Sequence, residues 1–120
     1  VCQSALDALI LGRQFLATHG WTRYKEVRVD SGMEYYCAVG ALKYGAFFWP
    51  EKDGIGGFTL SQFEAVYKEA LAALDEAARK IGDFSHANIF WLNDVYANDR
   101  ETVLIAYDMA IQGLREKIDA

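Results

Sequence analysis

The stretch Tyr35-Tyr36-Cys37-Ala38-Val39-Gly40-Ala41-Leu42 decides how this chain is read. Two tyrosines close an alternating segment, and a cysteine then opens a run of small and apolar residues suited to a buried helix. Gly40 costs helix stability unless its missing side chain lets another segment approach closely. The spacing predicts a second helix from Cys37 to about Phe48, with Ala38, Ala41 and Leu42 on one face and the thiol at its mouth. Phe47-Phe48-Trp49 then forms an aromatic run stopped by Pro50, and the three glycines within residues 51–57 mark a loop.

Upstream, Ser4 to His19 reads as the first helix, with Leu6, Leu9, Ile10, Phe15 and Leu16 as its apolar stripe. Ser4 with Asp7 starts it, and Gly20 is expected as a left-handed stop. Lys25 to Val29 alternates polar with apolar, Asp30-Ser31-Gly32 is a turn, and Met33-Glu34-Tyr35 returns; a short hairpin or an extended arm both fit. Downstream, Thr59 to Ile81 is the clearest helix, opened by Ser61 with Glu64. Ser85 to Leu92 is one helical turn or a strand, broken by Asn93-Asp94, and Asn98 with Glu101 caps a last helix ending near Ile118. The expected fold is mainly α: a single small helical domain over residues 1–120, with about four main helices and either a short two-stranded β-hairpin or an extended arm before the second.

Composition bounds the function. At 120 residues, with 52% hydrophobic and 24% charged, the chain can bury a core without staples. A net charge of -5 argues against nucleic acid as a partner, because such binding rests on a basic footprint. Surplus acid favours a basic protein partner instead. No apolar run reaches the length of a membrane span, and the first residues lack the basic-then-apolar design of a signal peptide. Cys2 and Cys37 are expected as free thiols in a reducing cytoplasm.

The sharpest enzyme reading is a cysteine nucleophile. A thiol at a helix start is expected to ionise more easily, and His86 and Asp94 follow it in the order of a triad, which would make a hydrolase or transferase. The plainer reading, and the favoured one, is a buried, inert cysteine. Neither a metal nor a cofactor is expected, since His19, His86, Cys2 and Cys37 show none of the close pairing that zinc ligands need. Trp91-Leu92-Asn93-Asp94 stands out as well: a buried indole needs a partner, and the following amide and carboxylate can hold the next turn or a small polar ligand. Finally, Phe47, Phe48, Trp49 and Phe58 exceed what one end of a small core needs. They are expected either to form a partner site or homodimer interface, or simply to roof the core.

Taken in order, Gly20-Trp21, the Asp30-Ser31-Gly32 turn, Cys37-Ala38-Val39-Gly40-Ala41-Leu42, Trp91-Leu92-Asn93-Asp94 and Arg100-Glu101-Thr102-Val103-Leu104 resemble an uncharacterised small helical domain family of bacteria and their bacteriophages. The resemblance covers nearly the whole chain and brings no known activity. It implies that Trp21, Cys37, Gly40, Trp91, Asn93 and Asp94 form one structural or ligand-holding centre. The pattern has no histidine matching His86, which weakens the triad. The first expectation is therefore a non-enzymatic, phage-encoded interaction protein of the bacterial cytoplasm. A cysteine enzyme using Cys37, His86 and Asp94, and a small-ligand binder with a pocket near Trp91, are the alternatives.

Overall fold

The structure, a computed structural model, describes residues 4–48 and 60–119; of Phe48 and Leu60 only the backbone is described. Helix α1, Ala5–Thr18, starts where the Ser4 hydroxyl accepts the Asp7 amide at 3.2 Å. Its buried residues Ala5, Ala8, Leu9, Gly12 and Leu16 recur at three- and four-residue steps, the spacing of one helix face. Gly12 matters on that face, since a Cβ there would lie 3.1 Å from the Leu42 Cα.

Three short strands follow: β1 Gly20–Trp21, β2 Val27–Asp30 and β3 Met33–Tyr36. The hairpin of β2 and β3 is present, in the register Val27↔Tyr36 to Asp30↔Met33. Its turn has positive φ at both central residues, 53° at Ser31 and 80° at Gly32, the type I′ geometry that matches strand twist. The sheet gains a third strand that sequence patterning did not suggest: β1 runs parallel to β3, giving the order β1-β3-β2. Gly20 is therefore not a left-handed stop. It is extended and lies under Tyr35, whose ring carbon Cδ1 would sit 2.2 Å from any Cβ at that position.

Helix α2, Ala38–Leu42, widens into a π turn over Lys43–Phe48, and α3 spans Leu60–Gly82. Ser61 lies inside the first turn of α3 rather than capping it. Helix α4, Ile89–Trp91, is capped by Asn88 and runs directly into a second π turn, Leu92–Tyr96. Asn93-Asp94 thus does not break the segment; both residues ride within a widened turn closed by the Ala97 amide on the Leu92 carbonyl at 2.8 Å. Helix α5, Arg100–Asp119, is capped by Asp99 rather than Asn98: the Asp99 carboxylate accepts the Thr102 amide at 3.0 Å.

The molecule is mainly helical, with the small sheet set before α2. Helix α1 packs against α5, α2 with its π turn, and α3. Leu9, Leu16, Val39, Leu42, Leu74, Ile89, Leu92, Val103 and Tyr107 meet in one buried cluster. Phe47 joins them with no exposed surface, edge-on to Phe63 at 4.8 Å, so it is a core residue and not part of an outer patch. The rest of that expected patch, the Phe48 side chain, Trp49 and Phe58, lies outside the described residues.

Candidate functional site

Asn93 is where the sheet, α2 and the second π turn meet. It is one of the few buried polar side chains, with 2% exposure. A carboxamide has two donors and an acceptor oxygen with two lone pairs. The Asn93 oxygen accepts the Trp21 indole Nε1 at 2.8 Å and the Ala38 amide at 2.9 Å. Its nitrogen donates to the Thr22 carbonyl at 3.1 Å and to Asp94 Oδ1 at 2.8 Å. All four valences are used, so the side chain has nothing left to offer a ligand without breaking a bond that holds the fold. The same Asp94 oxygen accepts the Tyr24 amide at 2.8 Å, which pins a residue in the left-handed region, φ 68°.

Cys37 sits at the other side of this corner. Its backbone amide bonds the Glu26 carbonyl at 3.2 Å, and its sulfur accepts the Gly40 amide at 3.3 Å, so the thiol caps α2. Gly40 needs its hydrogen: a Cβ would lie 2.0 Å from the Glu26 carbonyl oxygen. Tyr107, fully buried on α5, donates its hydroxyl to the Ala38 carbonyl at 2.6 Å. The expected easy ionisation of the thiol is reversed. Burial pushes the Cys37 pKa up, and the Gly40 and Val39 amides offset this only in part. His86 is exposed and edge-on to Phe84 at 5.8 Å, while Asp94 is engaged with Asn93 and Tyr24. The structure therefore does not assemble Cys37, His86 and Asp94 into a catalytic array.

A model of the family of unknown function DUF6197 matches residues 3–113. The chain belongs to that family. No curated protein and no solved structure matches it. In this DUF6197 chain the match spans all six residues of the expected centre. Five of them, Trp21, Cys37, Gly40, Asn93 and Asp94, stand around one corner.

Trp91 stands apart from it. Its backbone amide goes to Asn88 at 2.8 Å, and its ring covers Gly82, where a Cβ would lie 2.4 Å from Cζ3. The indole that Asn93 serves is that of Trp21, not that of its near neighbour in sequence. Trp91 instead joins a row of rings, 5.5 Å from Phe84 and 5.3 Å from Tyr96. Phe84 and Tyr96 are 44% and 43% exposed, and Phe90 and Val95, next to Trp91 and Tyr96 in sequence, are exposed too. Sequence reasoning missed this row because its members follow no single period; only the density of large apolar residues between 84 and 96 hinted at it.

Among the described residues no group of three or more His, Cys, Asp or Glu could hold a metal ion. No described helix is long and apolar enough to cross a membrane. A cleft of about 440 Å³ lies between the C-terminal halves of α3 and α5, floored by Ala73, Ala77, Ala110 and Gly113. Trp91 does not line it.

Proposed function

We propose that this protein is a non-enzymatic binding protein that recognises another protein through the aromatic surface around Trp91. One observation carries the reading: the rings of His86, Phe84, Trp91 and Tyr96 follow one another at 5.8, 5.5 and 5.3 Å, with much of Phe84 and Tyr96 left in water. Tyrosine and tryptophan are the favoured anchors of protein interfaces, and covering exposed rings is favourable. Asp83, Asp94 and Asp99 occur in the same stretch, and with a net charge of -5 they favour a basic partner surface. The motif resemblance supports a bacterial or bacteriophage origin and, with it, action in the host cytoplasm. The sealed thiol and the fully bonded amide support a structural role for the corner.

The test uses a photo-cross-linking phenylalanine analogue at the exposed position Phe90. Irradiation in bacterial lysate is expected to yield one dominant protein adduct. That adduct is lost when Phe84→Ser and Tyr96→Ser are added. A ladder of unrelated adducts, or an adduct indifferent to those substitutions, would remove the basis of the reading.

A further inference from the structure

The second strand, Val27-Arg28-Val29-Asp30, lies at the edge of the sheet. The two-residue turn sets its parity. Asp30 and Met33 close the hairpin as a hydrogen-bonded pair, so Arg28 with Tyr35 is also such a pair. The Cys37 amide on the Glu26 carbonyl continues the same parity, at 3.2 Å. The even-numbered residues thus spend their backbone groups on β3. Val27 and Val29 turn their N–H and C=O outward, and no other described strand pairs with them.

An open edge of this kind is a template for another strand. Natural edges are blunted by shortness, charge, proline or a bulge; β2 is short and carries Arg28 and Asp30, but it has no proline, lysine or bulge, and its two charges are of opposite sign. It has a self-complementary pattern instead. When two copies of Arg28-Val29-Asp30 run antiparallel about Val29, valine meets valine on one face. On the other, each Arg28 meets Asp30 of the second copy. Val29 is the residue whose outward N–H and C=O can form the reciprocal pair on the two-fold axis. It is 67% exposed, and Met33 nearby is 58% exposed. The side chains of Arg28 and Asp30, 40% and 63% exposed, pair with each other at 3.3 Å, and Arg28 also bonds Thr22 and covers the Tyr35 ring, so the match across the axis would exchange this pairing within the strand for one between copies.

We propose that the protein forms a two-fold dimer by antiparallel pairing of β2 with β2 of a second copy, centred on Val29, joining two sheets into one of six strands. This goes beyond the aromatic recognition proposed above and uses a different surface. A strand of another protein would lack the double Arg–Asp match, and the charge pattern favours a second copy.

Analytical ultracentrifugation of the full chain over a wide concentration range tests it. The parent is expected to show a reversible monomer–dimer equilibrium. Val29→Lys, which sets two ammonium groups across the axis while leaving the ladder to β3 intact, should weaken association by at least about tenfold. Asp30→Arg should do the same by placing Arg28 against an arginine, and Arg28→Glu with Asp30→Arg should restore dimerisation. Circular dichroism confirms that each variant is folded, and Val29→Lys remains decisive if the charge swap disturbs the hairpin. A parent that stays monomeric throughout, a Val29→Lys variant that dimerises like the parent, or a folded double swap that fails to recover would overturn the proposal.

Discussion

The Trp21 indole donates to the Asn93 side-chain oxygen at 2.8 Å across 72 positions of sequence. That bond, with those that the same amide makes to Ala38 and Thr22, ties the first strand and the start of α2 to the second half of the chain. A fully satisfied buried amide of this kind specifies one arrangement, because any other leaves several polar groups dry and unbonded.

Asn93→Leu should therefore be among the most costly single substitutions in the chain. It strands the Trp21 indole, the Ala38 amide and the Thr22 carbonyl, each at about 1–3 kcal/mol. A loss of roughly 3 kcal/mol or more in urea unfolding is expected. Asn93→Asp keeps the shape but loses the donor to Thr22 and adds charge beside Asp94. Burial and that neighbour would raise the folded pKa of the new carboxyl above its unfolded value. Its stability deficit is then smallest below about pH 4, the unfolded value, and grows as pH rises through the raised one. A deficit that shrinks towards neutral pH would contradict the geometry.

Two glycine substitutions should act in opposite directions. Gly40→Ala drives a methyl into the Glu26 carbonyl, a backbone atom that cannot move without lifting the hairpin off α2. A cost of about 3 kcal/mol or failure to fold is expected, at or beyond the top of the ordinary overpacking range. Gly113→Ala meets nothing within 4 Å in the middle of α5 and should stabilise by about 0.5–1 kcal/mol. Thermal melts of both variants beside the parent decide this.

Thiol labelling follows from the environment of Cys37. In a Cys2→Ser background, a neutral-pH disulfide reagent should react with native Cys37 far more slowly than with a free thiol, and at the ordinary rate once urea unfolds the chain. Burial keeps the group protonated, and Sγ is occupied by the Gly40 amide. Fast labelling of the folded protein would return the cysteine-enzyme reading to consideration.

Alkaline pH should loosen the fold in a way that names its tyrosines. Burial raises the pKa of Tyr36, Tyr67 and Tyr107, aided at Tyr36 by its hydrogen bond to Glu34. In the unfolded chain these phenols ionise near the ordinary value of about 10. Their folded values are raised, so the stability they contribute is intact below about pH 10 and is lost as pH climbs through the folded values. The urea midpoint should hold up to about pH 9 and fall beyond it, with a shallower fall in Tyr107→Phe. That variant also loses the bond to Ala38, costing about 1–2 kcal/mol at neutral pH.

The helices were legible because their apolar residues recur at helical steps; the hairpin was one of two readings, beside an extended arm, because Asp30-Ser31-Gly32 sits between alternating runs, and its type I′ turn was not read. Other features left no such trace. Strand β1 is two residues long, too short for a period, and exists because β3 offers it an edge. The π turn through Asn93 and Asp94 looks like a break in sequence, since two polar residues after an apolar run ordinarily end a helix; here they turn inward and meet Trp21 and Ala38. The resemblance implied a centre holding both Trp21 and Trp91; proximity in sequence suggested Trp91 as the indole beside Asn93, whereas the hydrogen bond runs to Trp21. Phe47 was read as part of an outer patch but is a core residue, because a run of rings says nothing of which way each one faces.

A chain emerges from the ribosome with its first residues first. By the time α2 has been made, the Trp21 indole and the Ala38 amide must still wait for an acceptor half a chain away. That order makes the corner a late event in maturation, closing the N-terminal half only once Asn93 has arrived. A fragment cut short of that amide would keep the elements that precede it but lack what holds them together, and supplying the missing C-terminal piece in trans should restore the native spectrum.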